Sequence, residues 1–236
     1  MIEVHFWPTS NGHKVTIFLE EAGVPYEFHP VNIAKGEQFR PEFLKISPNN
    51  RMPAIVHRTP ADGGAPISVF ESGAILLYLA EKTGRFLPND VRGRAAVTEW
   101  MFWQVGGLGP MAGQRNHFLN SAPEQIPYAI KRYTDETNRL LGVMDRRLKD
   151  HAFLADEYSI ADMMSYPWVN SSTRHGDPFA EFAHLKRWYE TIKARPAVVD
   201  AYRKGGVYTN PPEVTEAGKK ILFGQTASSI RQQTGG

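Results

Sequence analysis

Three short stretches near the start of the chain carry side chains suited to holding a small charged ligand. Thr9-Ser10-Asn11-Gly12 falls between a predicted strand and a predicted helix. A helix N-terminus there presents N–H groups and a positive dipole end, which favour an anion. Thr9 and Asn11 add a hydroxyl and an amide donor. The same residue types are preferred caps, so a plain capping turn is the alternative. Asn49 to Ile55, NNRMPAI, puts Pro53 at a strand start. A cis bond there would turn the Met52 backbone outward, where its N–H and C=O could pair with a peptide-like ligand; an ordinary trans loop is commoner. Phe70 to Ile75, FESGAI, opens another predicted helix. Ser72 and that helix N-terminus suit a carboxylate, while Glu71 suits an ammonium. Together they fit an amino-acid head group bearing both charges, or else form a cap with an acidic first turn.

The elements that must position these stretches follow from periodicity. Ile2 to Trp7 is a short apolar run ended by Pro8, a strand pattern. From Lys14, the residues Val15, Phe18, Leu19 and Ala22 recur at helical spacing and Gly23 follows as a stop. Tyr26 to Ile33 predicts a second strand, and Phe39, Phe43 and Leu44 a short irregular helix. Pro53 to Val56 and Ile67 to Phe70 predict two more strands across the turn-rich TPADGGAP. Ser72 to Lys82 then carries Ile75, Leu76, Tyr78 and Leu79, and ends at Gly84. The order β-α-β-α-β-β-α implies a parallel pair with a right-handed crossover, extended by a hairpin.

Beyond FLPNDVRG, a linker pattern, no strand pattern appears from Val91 to about Arg203. Helical patterns cover Arg92 to His117, Glu124 to Lys149, Ile160 to Ser171 and Phe179 to Ala194. The domains are therefore expected at 1–86 (α/β) and 91–210 (all-helical), with a polar tail over 211–236. Within the first long helix, GGLGPMAG at 106–113 predicts a break, since Gly costs about 1 kcal/mol and Pro about 3 kcal/mol in a helix interior. A loop between two helices and a bend that opens a cleft or admits a partner subunit both fit. Ser159 with Asp162 three positions later forms a capping-box pattern, Asp replacing the usual Glu.

The 236 residues are 42% hydrophobic and 22% charged, the balance of a chain with a sizeable core, which excludes disorder over its length. Lys and Arg number 27 against 25 Asp and Glu, without the concentrated basic stripe of a nucleic-acid binder. No apolar run is long enough for a bilayer, and MIEVHFWPTS lacks the basic start of a signal peptide, so a cytoplasmic location is expected. With 0 cysteines there is no disulfide framework, thiolate metal site or protein-borne thiol nucleophile. His13, His117 and His175 are isolated in sequence, a pattern of surface or core residues rather than ligands, and no metal is expected.

SPNNRMPAIV followed by SVFESGAILLYLAEKTG resembles the thioredoxin-like domain of the cytosolic glutathione transferases, and the resemblance extends over essentially the whole chain. PTSNGHKVTIFLEEAGVPYE, KGEQFRPEFLKISPNN and WQVGGLGPMAGQ resemble the bacterial Nu class more narrowly. That class is related to the nitrogen-regulating yeast prion protein, and its members act chiefly as glutathione-dependent disulfide reductases. The resemblance implies a thioredoxin-like domain joined to a helical one, with glutathione as co-substrate. Thr9 and Asn11 would act at the glutathione sulfur, and Met52, before a cis-proline, would pair its backbone with the cysteinyl part. Glu71 and Ser72 would hold the γ-glutamyl head group. Gln38 matches a glutathione contact, Asn50 and Arg51 are second-tier candidates, and Arg132 would offer a charge to glutathione carboxylates. No tyrosine occupies the place used by mammalian-type classes, since Tyr26 and Tyr78 lie in core-like patterns. The implied partners are glutathione with a small disulfide, peroxide or electrophile, and a second copy of the chain. The implied activity is disulfide reduction with weak peroxide reduction. Conjugation of an electrophile is the alternative enzymatic reading, and a non-catalytic glutathione-binding or interaction protein is the alternative of another kind.

Overall fold

In the computed structural model, described for residues 1–208 and 215–228, strand β1 (Ile2–Phe6) buries Ile2, Val4 and Phe6 on one face and turns Glu3 and His5 to the other. This alternation is the period-2 geometry of a strand. Helix α1 (Ser10–Ala22) follows, capped by Thr9 and closed at Gly23. Its residues from Gly12 to Leu19 are all buried, so it is a central helix rather than a surface one. Gly12 is required by close approach: a Cβ there would lie 2.3 Å from the Trp7 carbonyl oxygen.

Strand β2 is Tyr26–Pro30, shorter than the apolar run suggests, because a 3-10 turn over Ile33–Lys35, capped by the Asn32 side chain, takes its last residues. A second 3-10 turn (Glu37–Phe39) leads into the short helix α2 (Pro41–Leu44). Strands β3 (Ala54–His57) and β4 (Ile67–Phe70) form the hairpin, and α3 spans Ser72–Thr83. The sheet order is β2-β1-β3-β4; β1 and β2 are parallel, and the other two pairs are antiparallel.

The described chain forms two compact units, Met1–Ile75 together with residues from Ala201 onward, and Leu76–Asp200. In the second unit the helices are α4 (Val91–Trp103), α5 (Gly109–Asn120), α6 (Pro127–Leu148), α7 (Ile160–Ser172) and α8 (Ala183–Lys193); α9 (Pro196–Gly205) begins in it and ends in the first unit. The predicted break at 106–113 is not a loop. The chain stays helical through a π turn over Gln104–Leu108 and runs directly into α5. Gly109 allows a close helix approach here, since a Cβ would lie 2.7 Å from Gln104 Nε2 and 3.3 Å from Trp168 Nε1 of α7. Packing against α7 therefore outweighs the local helix penalty.

The capping box of α7 is formed as the sequence predicts. Asp162 Oδ1 accepts from the Leu154 N–H (3.0 Å) and from Trp188 Nε1 (2.8 Å), and Oδ2 accepts from the Ser159 N–H (3.0 Å). Burial pushes the Asp162 carboxyl up to about 6, against the pull of these donors. Of the expected tail, 211–214 and 229–236 lie outside the described residues. Between them Glu216–Phe223 forms α10, a helix packed on the 3-10 turn Ile33–Lys35. The polar composition of this stretch does not predict the helix.

Candidate functional site

The β register determines which loops meet. His5 near the end of β1 pairs with Ala54 at the start of β3, and Ala54 pairs with Phe70 at the end of β4. The segments that continue from these three points, Trp7 to Asn11, Arg51 to Pro53, and Glu71 to Ser72, therefore emerge at one end of the sheet. Sequence separation hides this convergence, and hydrogen-bond register creates it.

Thr9 is extended and caps α1, its Oγ1 accepting from the Gly12 N–H at 3.1 Å. The same hydroxyl donates to Met52 Sδ at 3.7 Å, tying the first loop to the second. A thioether is a weak acceptor, so this proton can be redirected to a stronger one. Asn11 is half-buried in the first turn of the same helix. The capping reading and the ligand reading of this stretch thus coexist, because the cap uses an oxygen lone pair and leaves the hydroxyl proton.

The Met52–Pro53 bond is cis. Met52 is buried among Trp7, Val31, Phe43 and Ala54. Ser47 Oγ donates to the Arg51 carbonyl at 2.7 Å and fixes the approach to this turn. Glu71 adopts φ 68°, a left-handed conformation that non-glycine residues rarely hold. It precedes Ser72, the first residue of α3, and its carboxylate accepts from Asn49 Nδ2 at 3.3 Å.

Beneath this pair lies Lys14. Its side chain is 2% exposed, and its Nζ donates to Ser72 Oγ at 3.3 Å. Burial brings the ammonium down to about 7, with the nearby Glu71 carboxylate partly offsetting the shift. A buried cation beside a helix N-terminus adds to the positive potential there. The signal for it was present in the sequence: Lys14 stands four residues before Phe18, on the apolar side of α1.

Gln38 is buried; its Nε2 donates to the Ile33 carbonyl at 3.2 Å, while Oε1 is buried without a partner. Asn50 is buried with φ 46°, and Arg51 Nη1 donates to Gln225 Oε1 at 3.2 Å, a contact with the chain after α10. The structure thus brings Thr9, Asn11, Met52, Glu71 and Ser72 to one sheet end and adds Lys14 and Asn49 to them. Arg132 belongs to the other unit, on α6, where its Nη1 lies 3.9 Å from Glu136.

Residues 1–81 match the family model for the glutathione S-transferase N-terminal domain, and residues 119–196 match that for the C-terminal domain. The chain belongs to the glutathione S-transferase family. Within the family it is 57% identical over 205 residues to the disulfide-bond oxidoreductase YfcG of Escherichia coli K12, covering 86% of this chain and 95% of that protein. A glutathione transferase family member from Pseudomonas fluorescens Pf-5, solved with two glutathione bound, is 38% identical with a TM-score of 0.81, covering 85% of this chain and 91% of that one. A Pseudomonas putida glutathione transferase, solved with one glutathione disulfide per subunit, is 40% identical with a TM-score of 0.80, over 85% and 90% of the two chains. The thioredoxin-like first domain and helical second domain expected from the sequence are those of the family.

Proposed function

We propose that this protein is a glutathione-dependent disulfide reductase of the bacterial Nu class. The observation that carries the reading is the meeting of Thr9, Asn11, Met52, Glu71 and Ser72 at one end of the sheet, with the Lys14 ammonium under Ser72. Relatives named or solved as a disulfide-bond oxidoreductase, with two glutathione bound, and with glutathione disulfide bound support it.

In this reading Ser72 and the α3 N-terminus receive the γ-glutamyl carboxylate, and Glu71 accepts from its ammonium. The Met52 backbone pairs with the cysteinyl residue, and Gln38 Oε1 is a further acceptor. Arg132 offers its guanidinium to a glutathione carboxylate. Thr9 Oγ1–H and the Asn11 amide donate to the sulfur, with the α1 dipole behind them. A free thiol near 8.5 is only a few per cent thiolate at neutral pH, so donors to the sulfur raise the reactive fraction. The thiolate attacks one sulfur of a disulfide RSSR, forming the mixed disulfide GSSR and releasing RS⁻, which takes up a proton. A second glutathione thiolate attacks the glutathione sulfur of GSSR, giving GSSG and the second RS⁻. The chain has 0 cysteines, so both electrons come from the two glutathione molecules and none is stored on the protein.

The same proposal includes a homodimer in the cytoplasm. Val91, Phe102 and Val105, on and after α4, are large apolar side chains left exposed, as an interface would require. Among the described residues no helix is long and apolar enough to cross a membrane. The test is glutathione-dependent reduction of a small model disulfide, run beside conjugation of an aromatic electrophile and reduction of an organic hydroperoxide. Fast reduction with slow conjugation and only weak peroxide turnover is the expected result. Fast conjugation with no disulfide reduction would overturn the reading.

A further inference from the structure

Strands β1 and β2 carry the same triplet type, Glu3-Val4-His5 and Glu27-Phe28-His29. Their parallel register pairs Glu3 with Glu27 and His5 with His29. Because Val4 belongs to the buried face of β1, Glu3 and His5 stand on the opposite face beside their partners. Two acids and two imidazoles thus form one block across two strands. The ligand atoms of Glu3, His5 and His29 all lie within 4.8 Å of one another. The two imidazole centroids are 5.2 Å apart, and both Nε2 atoms are buried without a hydrogen-bond partner. A buried polar atom without a hydrogen bond is unfavourable, and here two occur in neighbouring rings.

From this arrangement we propose that Glu3, His5 and His29 form a binding site for a divalent transition-metal ion of the zinc type, joining β1 to β2. Imidazole with carboxylate selects Zn²⁺, Ni²⁺ or Cu²⁺ over Mg²⁺ and Ca²⁺. A tetrahedral zinc at about 2.1 Å from each donor holds its donors roughly 3.4 Å apart. Closing from 4.8 Å or less needs at most about 1.4 Å of side-chain rotation per pair.

The surroundings suit this role. Arg58 donates from Nε and Nη2 to the two Glu3 oxygens at 2.6 and 2.8 Å. That fork fixes the carboxylate and leaves each oxygen a second lone pair, the usual arrangement around a ligating carboxylate. The Arg58 charge opposes a cation, and the Glu27 carboxylate, whose Oε1 lies 3.6 Å from His29 Nε2, offsets it. A groove of about 450 Å³ runs along His5 and His29, with Glu37 and Glu42 on its wall, and gives the ion a path in. The site is separate from the glutathione reading and does not depend on it.

The test uses the full-length, tag-free chain stripped with a chelator. Zn²⁺ is titrated against a chromogenic competitor, and thermal unfolding is followed with and without the ion. The expected result is one Zn²⁺ per chain and a raised unfolding temperature, since an ion at about 100 times its Kd adds about 2.7 kcal/mol. Loss of an outer-shell partner costs 10- to 100-fold in affinity, so loss of a ligand in His29→Gln or Glu3→Gln should weaken binding about tenfold or more. His29 is only half-buried, so that variant tests the site even if His5→Gln fails to fold. His151→Gln, which alters the His151–Asp156 pair elsewhere on the chain, should keep the ion. A Kd weaker than about 1 mM, or tight binding that survives both His29→Gln and Glu3→Gln, would overturn the proposal.

Discussion

Replacing Lys14 with methionine removes the buried ammonium while keeping most of the volume of the side chain. The Lys14 folded value of about 7 lies below its ordinary 10.5, so between these values the unfolded chain binds more protons than the folded one. Wild-type stability therefore rises with pH across this window, and the span of about 3.5 pH units corresponds to roughly 5 kcal/mol in all. Between pH 7 and pH 9 the wild type should gain about 2 kcal/mol relative to Lys14→Met. Ligand binding should move the other way. A carboxylate hydrogen-bonded to Ser72 would sit about 6 Å from Nζ, from the 3.3 Å Lys14–Ser72 contact plus one hydrogen-bond length of about 2.7 Å. At an effective dielectric of about 20, that attraction is about 3 kcal/mol, or roughly 100-fold in Kd. The variant should thus bind glutathione about 100-fold more weakly at pH 6, where Lys14 is charged, and only a few-fold more weakly at pH 9. Isothermal titration at the two pH values and denaturant unfolding from pH 6 to pH 9 measure both effects. Equal affinities for the two proteins at pH 6, or parallel stability profiles, would refute the placement of this charge behind the head-group site.

Asn11→Ala should lower disulfide-reductase turnover about 100-fold with little change in glutathione affinity, because its amide is assigned to the developing thiolate; steady-state kinetics with unchanged turnover would remove it from the mechanism. Ser72→Ala should weaken glutathione binding about tenfold, the worth of one hydrogen bond to a charged group, and titration showing unaltered affinity would refute the head-group assignment. Asp162→Ala leaves the Leu154 and Ser159 N–H groups and the Trp188 Nε1–H without their acceptor. At about 1–3 kcal/mol each, calorimetry should record a fall of about 10 °C or more, and a fall under about 3 °C would show that the buried carboxylate is not the keystone of α7.

What the sequence determined by itself is whatever depends on neighbours in the chain. The alternation of Ile2, Val4 and Phe6, the helical spacing through Leu19, the stop at Gly23 and the Ser159–Asp162 box are local, and each element formed about where its pattern lies. The long motifs around Met52 and Glu71 marked the family, and with it the fold and the candidate site. Tertiary structure decided what depends on contacts between distant segments. The glycines at 106–113 read as a break, yet the chain remains helical because α7 closes over Gly109. Helix α10 read as part of a polar tail, but it gains an apolar partner only by packing on the turn at Ile33–Lys35. Lys14 became part of the candidate site when α1 and α3 placed its ammonium against Ser72, and burial, not residue type, brought it to about 7. His5 and His29, 24 positions apart in the chain, became neighbours solely through the β1–β2 register. Local patterns are written in i to i+4 chemistry; register, burial and desolvation are properties of the packed chain, and they set where its charges and lone pairs meet.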